Sequence, residues 1–293
     1  MNSVLSWIKK AQFLMAPSLP QCLFCGKRSR PSTGLPGICV SCHIGIPWIR
    51  SPRCQTCGRH VGCPDCSRSR EPVPIRCNRS AVAYTSDMRE LLGQYKYRGN
   101  ERLAPVLGLM LDNAYAILQQ EQSEQQQTAT LQSNSSRKPF SARNPNHLLI
   151  HPALWQADLL VPVPVSTVRL SERGFNQAEQ LAEVLTLRRG IPQLPLLVRT
   201  HHTGKQSSKS RSERLADMKH AFTGNTDPEI LRSLKGQLDL ITPRLQKRPL
   251  QIIIIDDIYT TGSTIRACAE ALHQLIGNLG YRAEIYSLTW ARS

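Results

Sequence analysis

Ile252 to Thr264 reads I-I-I-I-D-D-I-Y-T-T-G-S-T, and this stretch decides the fold. Four consecutive isoleucines with no polar alternation fit a parallel strand buried on both faces, because β-branched side chains suit the pleat and neither face is left for water. The strand is expected to end in Asp256 and Asp257. Tyr259 to Thr264 then supplies hydroxyls, a permissive glycine and backbone N–H groups. Ile265, Cys268, Leu272, Leu275, Ile276 and Leu279 follow at the spacing of a helix. The order is strand, loop, helix N-terminus.

In an open α/β sheet such a junction lies at the carboxyl edge, where ligands bind, and the amides of the first helical turn attract an anion. The loop can therefore cradle a phosphate. Two carboxylates beside it would repel a bare phosphate chain, but they suit a sugar phosphate, accepting hydrogen bonds from vicinal ribose hydroxyls while the loop holds the 5′-phosphate. The same acids could instead hold magnesium or cap a helix, as in other α/β folds. No G-x-x-x-x-G-K-[ST] occurs, which counts against an ordinary P-loop. The hydrophobic run, the two acids and T-T-G-S-T resemble the phosphoribosyl pyrophosphate (PRPP) motif of type I phosphoribosyltransferases.

At 293 residues the chain can hold one sizeable α/β core and a smaller module. No apolar run approaches the ~20 residues that span a bilayer. Met1 to Pro20 carries Lys9 and Lys10 in mid-segment and has no small-residue cleavage site. A cytoplasmic protein without stable membrane insertion is expected. Eight of the ten cysteines form four C-x-x-C pairs within Cys22 to Cys66, which is metal spacing in a reducing compartment and not a secreted disulfide scaffold. The formal charge is +16, and two zinc ions on eight thiolates would lower it by four, to about +12. Such a surplus suggests polyanionic partners, either nucleic acid or phosphorylated substrates. Aromatic residues make up only 5%, so no base-stacking platform is evident.

Met1 to Pro20 reads as an N-terminal helical segment in which Val4, Ile8, Ala11 and Met15 share a face for docking on the protein's own core, the alternative of membrane contact wanting more basic residues on the polar face. Residues 21–70 then read as a double zinc ribbon. Cys22-x-x-Cys25 is followed after thirteen residues by Cys39-x-x-Cys42, and Cys54-x-x-Cys57 after five by Cys63-x-x-Cys66. Each quartet suits one tetrahedral metal, with interleaved pairing of the four knuckles as the alternative. A closed Cys₄ site leaves no open coordination position, so the role is structural. Arg50, Arg53, Arg59, Arg68, Arg70, Arg76 and Arg79 make the region basic, either as a DNA-contacting face or as an offset to thiolate charge.

Cys77 to Thr85 reads as a strand, and Met88 to Met110 as helix broken around Gly99. Lys96, Tyr97 and Arg98 either reach a phosphate or end a solvated helix. Gln119 to His147, rich in Gln, Ser and Asn, is expected to be a disordered insertion. Asp158 to Val165 is a strand, and Phe175, Ala178, Leu181, Ala182 and Leu185 line a helix after it. Arg169, Arg173, Asn176 and Gln177 fall where they could clamp a diphosphate. Leu196 to Val198 is a short strand. His201 to Lys219 is polar and basic, either a mobile lid over an anionic substrate or an ordinary surface loop. Gly224 to Leu250 reads as a charged connector and Ala283 to Trp290 as the last strand. Cys268 is expected as a buried thiol.

Cys22 to Cys66, V-P-V-P, R-G-F-N-Q-A, Q-S-S-K-S-R-S-E-R and D-D-I-Y-T-T-G-S-T occur in an order that resembles the ComF family, competence protein F and its GntX-like relatives. The resemblance covers nearly the whole chain apart from Gln119 to His147 and the connector after Gly224. It implies a type I phosphoribosyltransferase fold, a doubly wound, mostly parallel sheet over 76–293, behind an N-terminal double zinc ribbon. It also implies a cytoplasmic protein that helps naturally competent bacteria take up and process transforming DNA. The PRPP-binding residues of the family carry over onto Asp256, Asp257, Thr260, Thr261, Gly262, Ser263 and Thr264, with Tyr259 in the same loop. The basic loop matches Arg169 and Arg173, which with the two acids form the candidate catalytic set. The lid matches Arg199, Gln206, Arg211 and Arg214. Two functions follow. In one, PRPP binds with Mg²⁺ on its diphosphate and an acceptor attacks C1′ as pyrophosphate leaves. In the other, the fold is a non-catalytic ligand-sensing or single-stranded-DNA-binding module among other DNA-uptake proteins. No acceptor pocket or general base is legible.

Overall fold

The computed structural model describes residues 19–68, 73–135, 154–200, 221–246 and 248–293. The expected helix near the N-terminus and the lid residues Gln206, Arg211 and Arg214 lie outside them. In chain order the elements are α1 (Val40–Ile44), α2 (Pro64–Arg68), β1 (Asn78–Ala83), α3 (Ser86–Tyr97), α4 (Ala104–Ser135), β2 (Leu159–Pro162), α5 (Thr167–Arg173) and α6 (Gln177–Arg189). They continue as β3 (Leu197–Arg199), β4 (Phe222–Gly224), α7 (Pro228–Leu245), β5 (Leu250–Tyr259), α8 (Ser263–Asn278) and β6 (Ala283–Arg292).

The central sheet has the order β1-β6-β5-β2, and every pairing in it is parallel. Ile252 to Ile255 are each 0% exposed, as a central strand covered on both faces requires. Ile252 and Ile254 pack with Cys268, Leu272 and Ile276 of α8 and with Leu234 and Leu238 of α7. Helix α4 lies against β1 and β6, α6 lies against β2 and β5, and the two helices pack on each other. Their approach is close enough that a Cβ on Gly108 of α4 would overlap the Val184 side chain of α6. Strands β3 and β4 form a separate antiparallel pair, on which α8 also packs. No helix among the described residues is long and apolar enough to cross a membrane.

Three elements differ from the sequence reading. The central strand does not end at the acids: parallel pairing with β6 continues through Asp256↔Thr289 and Ile258↔Ala291 to Tyr259↔Arg292. The charged connector holds α7, started by Asp227, whose carboxylate accepts from the Glu229 amide at 2.8 Å, and by Pro228 in the first turn.

The expected disorder over Gln119 to His147 does not hold for its first part, because 119–135 completes the 32-residue α4. Gln, Glu and Ala are good helix formers, and extending an existing helix carries no nucleation cost. The polar side chains are also used. Gln119 Nε2 donates to the Trp155 carbonyl at 2.9 Å, Trp155 N donates to Ser123 Oγ at 2.9 Å, and the Tyr286 hydroxyl donates to Gln122 Oε1 at 3.2 Å. Arg79, 3% exposed, donates to Glu121 at 2.6 Å. Residues 136–147 lie outside the described residues.

The chain divides into two compact units, Met1–Ile46 and Pro47–Ser293. The first cysteine quartet belongs to the former, and the second shares the latter with the sheet. Within that second unit the amide of Asn78 donates to Thr56 O at 2.8 Å and its side chain donates to Cys57 O at 3.2 Å. These bonds seat the Cys54–Cys57 knuckle over a buried polar ladder of Asn78, Ser80, Ser287 and Thr289.

Candidate functional site

The eight cysteines form two clusters, Cys22, Cys25, Cys39, Cys42 and Cys54, Cys57, Cys63, Cys66, in each of which the four sulfurs lie within 4.8 Å of one another. Pairing is therefore sequential and not interleaved. A tetrahedral ion with Zn–S near 2.3 Å needs sulfurs about 3.8 Å apart. The Cys25–Cys39 and Cys57–Cys63 separations are 3.9 and 3.4 Å, so both quartets fit a four-coordinate, thiolate-bound metal. Backbone amides favour the thiolates. Cys39 N donates to Cys22 Sγ at 3.3 Å, and Cys57 N to Cys54 Sγ at 3.5 Å. The Cys42 amide, 3.4 Å from Cys39 Sγ, holds that thiol down at about 6.

At the carboxyl edge of the sheet, Asp256 and Asp257 occupy consecutive positions of β5, and Asp256 Oδ1 accepts from the Asp257 amide at 2.9 Å. Because the strand runs on past them, the acids are shielded from solvent: Asp257 is 8% exposed and Asp256 is half-buried. Burial, with the Asp257 carboxylate second, pushes the Asp256 carboxyl up to about 7. Asp257 is ion-paired with Lys96, in the last turn of α3.

The loop then turns at Gly262, whose φ of +79° and whose contact with the Tyr259 ring leave no room for a Cβ. Gly262 is also the N-cap of α8 and supplies no side chain to its first amides. Thr261 Oγ1 and Ser263 Oγ lie 3.1 Å apart beside them, with Thr264 next in the helix. Open first-turn amides flanked by hydroxyls are a receptor for an anion.

Cations face this edge. Burial first, and Arg169 second, pull the Arg199 guanidinium below its ordinary value, while Asp256 acts in the opposite sense. Asp256, Asp257, Arg169, Arg199 and Lys96 thus share one electrostatic neighbourhood. Arg173 is engaged locally, donating to Gln177 Oε1 at 2.8 Å with its guanidinium 5.1 Å from the Tyr97 ring centre. Asn176 caps α6 through the Ala178 amide and donates to Val163 O at 3.1 Å. These two hold the α5–α6 corner. Cys268, 0% exposed, lies under Asp256 as a buried thiol.

Sequence reasoning left Lys96 open and did not find Arg292. The latter is 3% exposed at the end of β6 and donates to the carbonyls of Tyr259 and Thr260, just before the glycine turn. Its only sequence signal is a charge directly after an apolar strand.

These features define an α/β protein with two thiolate quartets and an acid pair leading into an open helix N-terminus. No protein-family model matches the chain. It is 30% identical to Competence protein ComFC of Bacillus subtilis (strain 168) over 264 residues, 87% of this chain and 84% of that protein. It is 24% identical to Competence protein ComFC of Streptococcus pneumoniae over 241 residues, 81% of each chain. It is 23% identical to DNA utilization protein YhgH of Salmonella typhimurium over 256 residues, 81% of this chain and 91% of that one. The chain belongs to the ComF family.

Proposed function

We propose that the chain binds PRPP or a related phosphoribosyl ligand at the carboxyl edge of β5, on a type I phosphoribosyltransferase fold, and serves DNA uptake in natural transformation. The observation that carries the ligand is the succession of Asp256, Asp257, the turn at Gly262 and the uncapped start of α8, with Arg169 and Arg199 opposite. Asp256 and Asp257 accept from the ribose hydroxyls, and the first-turn amides with the hydroxyls of Thr261, Ser263 and Thr264 hold the 5′-phosphate. Arg169 and Arg199 face the diphosphate, with Arg173 holding the α5–α6 corner beside them and Gln206, Arg211 and Arg214 as the lid. Mg²⁺ would come with the ligand and offset the diphosphate charge. Zinc would occupy both cysteine quartets structurally. The names of the relatives, competence and DNA utilization proteins, support the biological setting.

Calorimetric titration with Mg²⁺–PRPP tests the ligand. Binding that is lost in Asp256→Asn supports the reading, and a wild type that does not bind sinks it. Release of pyrophosphate in the presence of candidate acceptors would add transferase chemistry, in which Arg169 and the lid neutralise the leaving group. A second reading is single-stranded DNA binding without turnover, favoured by the +16 balance. It requires affinity that falls steeply as salt rises.

A further inference from the structure

The second cysteine quartet and the loop before α8 share one side chain. Arg292 Nε donates to Cys57 O at 3.0 Å and one of its terminal nitrogens lies 3.2 Å from Cys57 Sγ. The other terminal nitrogen donates to Tyr259 O at 3.1 Å and Thr260 O at 3.0 Å, and the guanidinium lies 4.8 Å from the Tyr259 ring centre. A cavity of about 210 Å³ separates knuckle and loop, lined on one side by Thr56, Cys57 and Cys66 and on the other by Thr260, Thr261 and Gly262. Arg292 crosses from one wall to the other. A lysine could not replace it, because a single ammonium cannot serve a sulfur and the carbonyls of Cys57, Tyr259, Thr260 and Ser293 in fixed directions.

Metal would fix Cys57 in position, and with it the carbonyl and the sulfur that Arg292 contacts. When the metal leaves, a knuckle with little core of its own loosens, and Arg292 loses its fixed partners on that side. The carbonyls of Tyr259 and Thr260 are then held less firmly. Tyr259 lies three residues ahead of Gly262 and Thr260 three ahead of Ser263, where the helix amides are presented.

We propose that Arg292 is a positioning residue that couples the Cys54–Cys57–Cys63–Cys66 metal site to the loop Tyr259–Gly262, so that metal in the one and a phosphate ligand in the other stabilise each other. Reciprocity follows from linkage, and couplings of this kind are typically about 5- to 100-fold in affinity. The ligand half rests on the phosphoribosyl reading given above; the metal half does not.

The experiment uses the full chain loaded with zinc. In wild type without ligand, hydrogen exchange of the amides of residues 260–264 is followed as chelator removes the metal. Coupling predicts at least ~5-fold faster exchange in that peptide when the second quartet empties. Unchanged exchange overturns the proposal whatever PRPP does. Zinc release is then timed with and without saturating PRPP. One of the two ions should leave about 10-fold more slowly with PRPP bound, and Arg292→Lys should abolish that difference. PRPP that binds wild type yet slows neither ion, or an Arg292→Lys variant that keeps the effect, also overturns it. A wild type that fails to bind PRPP but shows metal-dependent exchange would refute the ligand and leave the coupling standing.

Discussion

The ammonium of Lys96 is paired with the carboxylate of Asp257 and not with that of Asp256, and both paired side chains are largely buried, at 15% and 11% exposure. Two adjacent acids are thereby made unequal. Asp257 has the cation as its direct partner, while burial, with the Asp257 carboxylate second, holds the proton on Asp256 up to about 7.

Affinity for a ribose phosphate should therefore depend on pH near neutrality. A protonated Asp256 loses acceptor capacity toward a sugar hydroxyl, so the Kd for PRPP should rise about 10-fold between pH 8 and pH 6. Asp256→Asn should flatten that profile as well as weaken binding. Calorimetry across the range checks both.

The same residue should cost stability in the free protein. Its folded pKa, about 7, lies above its ordinary value of 3.8, so the folded state binds more protons than the unfolded state between these limits and stability falls as pH rises through them. Asp256→Asn should raise Tm by roughly 2–4 °C at pH 8 and leave it unchanged near pH 4. Scanning calorimetry at the two pH values decides it.

Lys96→Met should act in the opposite direction. It strands the Asp257 charge in a partly buried site, at a cost of about 1–3 kcal/mol, less than for a fully buried pair because some solvent reaches both groups. It also removes the cation that lowers Asp256, so the pH profile for PRPP should move upward. Urea unfolding at pH 7.5 and the ligand titration are the measurements.

Deleting 136–147 should leave unfolding midpoints unchanged, whereas a deletion that starts at Gln119 should destabilise the sheet domain. The smaller change Ser123→Ala should cost about 1–3 kcal/mol in urea unfolding, because it leaves the buried Trp155 amide without its acceptor.

Gly262→Ala should abolish PRPP binding and loosen metal in the second quartet, while the first quartet keeps its ion. The φ of +79° costs an L-residue about 1–2 kcal/mol, and the new methyl collides with the Tyr259 ring. Calorimetry and metal analysis on the same preparation separate the two effects.

The central strand, the helix after it and the four cysteine knuckles, though not their pairing, were legible because each is written locally: a β-branched run, a 3.6 period, a fixed C-x-x-C spacing. What stayed hidden depends on partners distant in sequence. The strand passes through its own acids because β6 continues beside them, and no local signal records that. The Gln-rich end of α4 reads as disorder by composition, yet Ser123, Gln122 and Glu121 bind Trp155, Tyr286 and Arg79 across the fold. Lys96 gained its role from a helix end that meets the sheet edge. Arg292 gained its own from a cysteine 235 positions away.

That separation sets an order of events during folding. Strand β6 follows the other described strands in sequence but sits inside the sheet, between β1 and β5. The second quartet can take up metal as soon as Cys66 leaves the ribosome, and then waits until Ala283–Arg292 is made for the strand that completes the surface beneath it. Sheet closure is a late, long-range step, of the kind that is slow and exposes unpaired strands meanwhile. A premature stop a dozen codons before Ser293 would therefore remove an interior strand and not an edge. The product would carry a loaded second quartet beside a sheet that cannot close, which makes it a substrate for degradation and not a weakened protein.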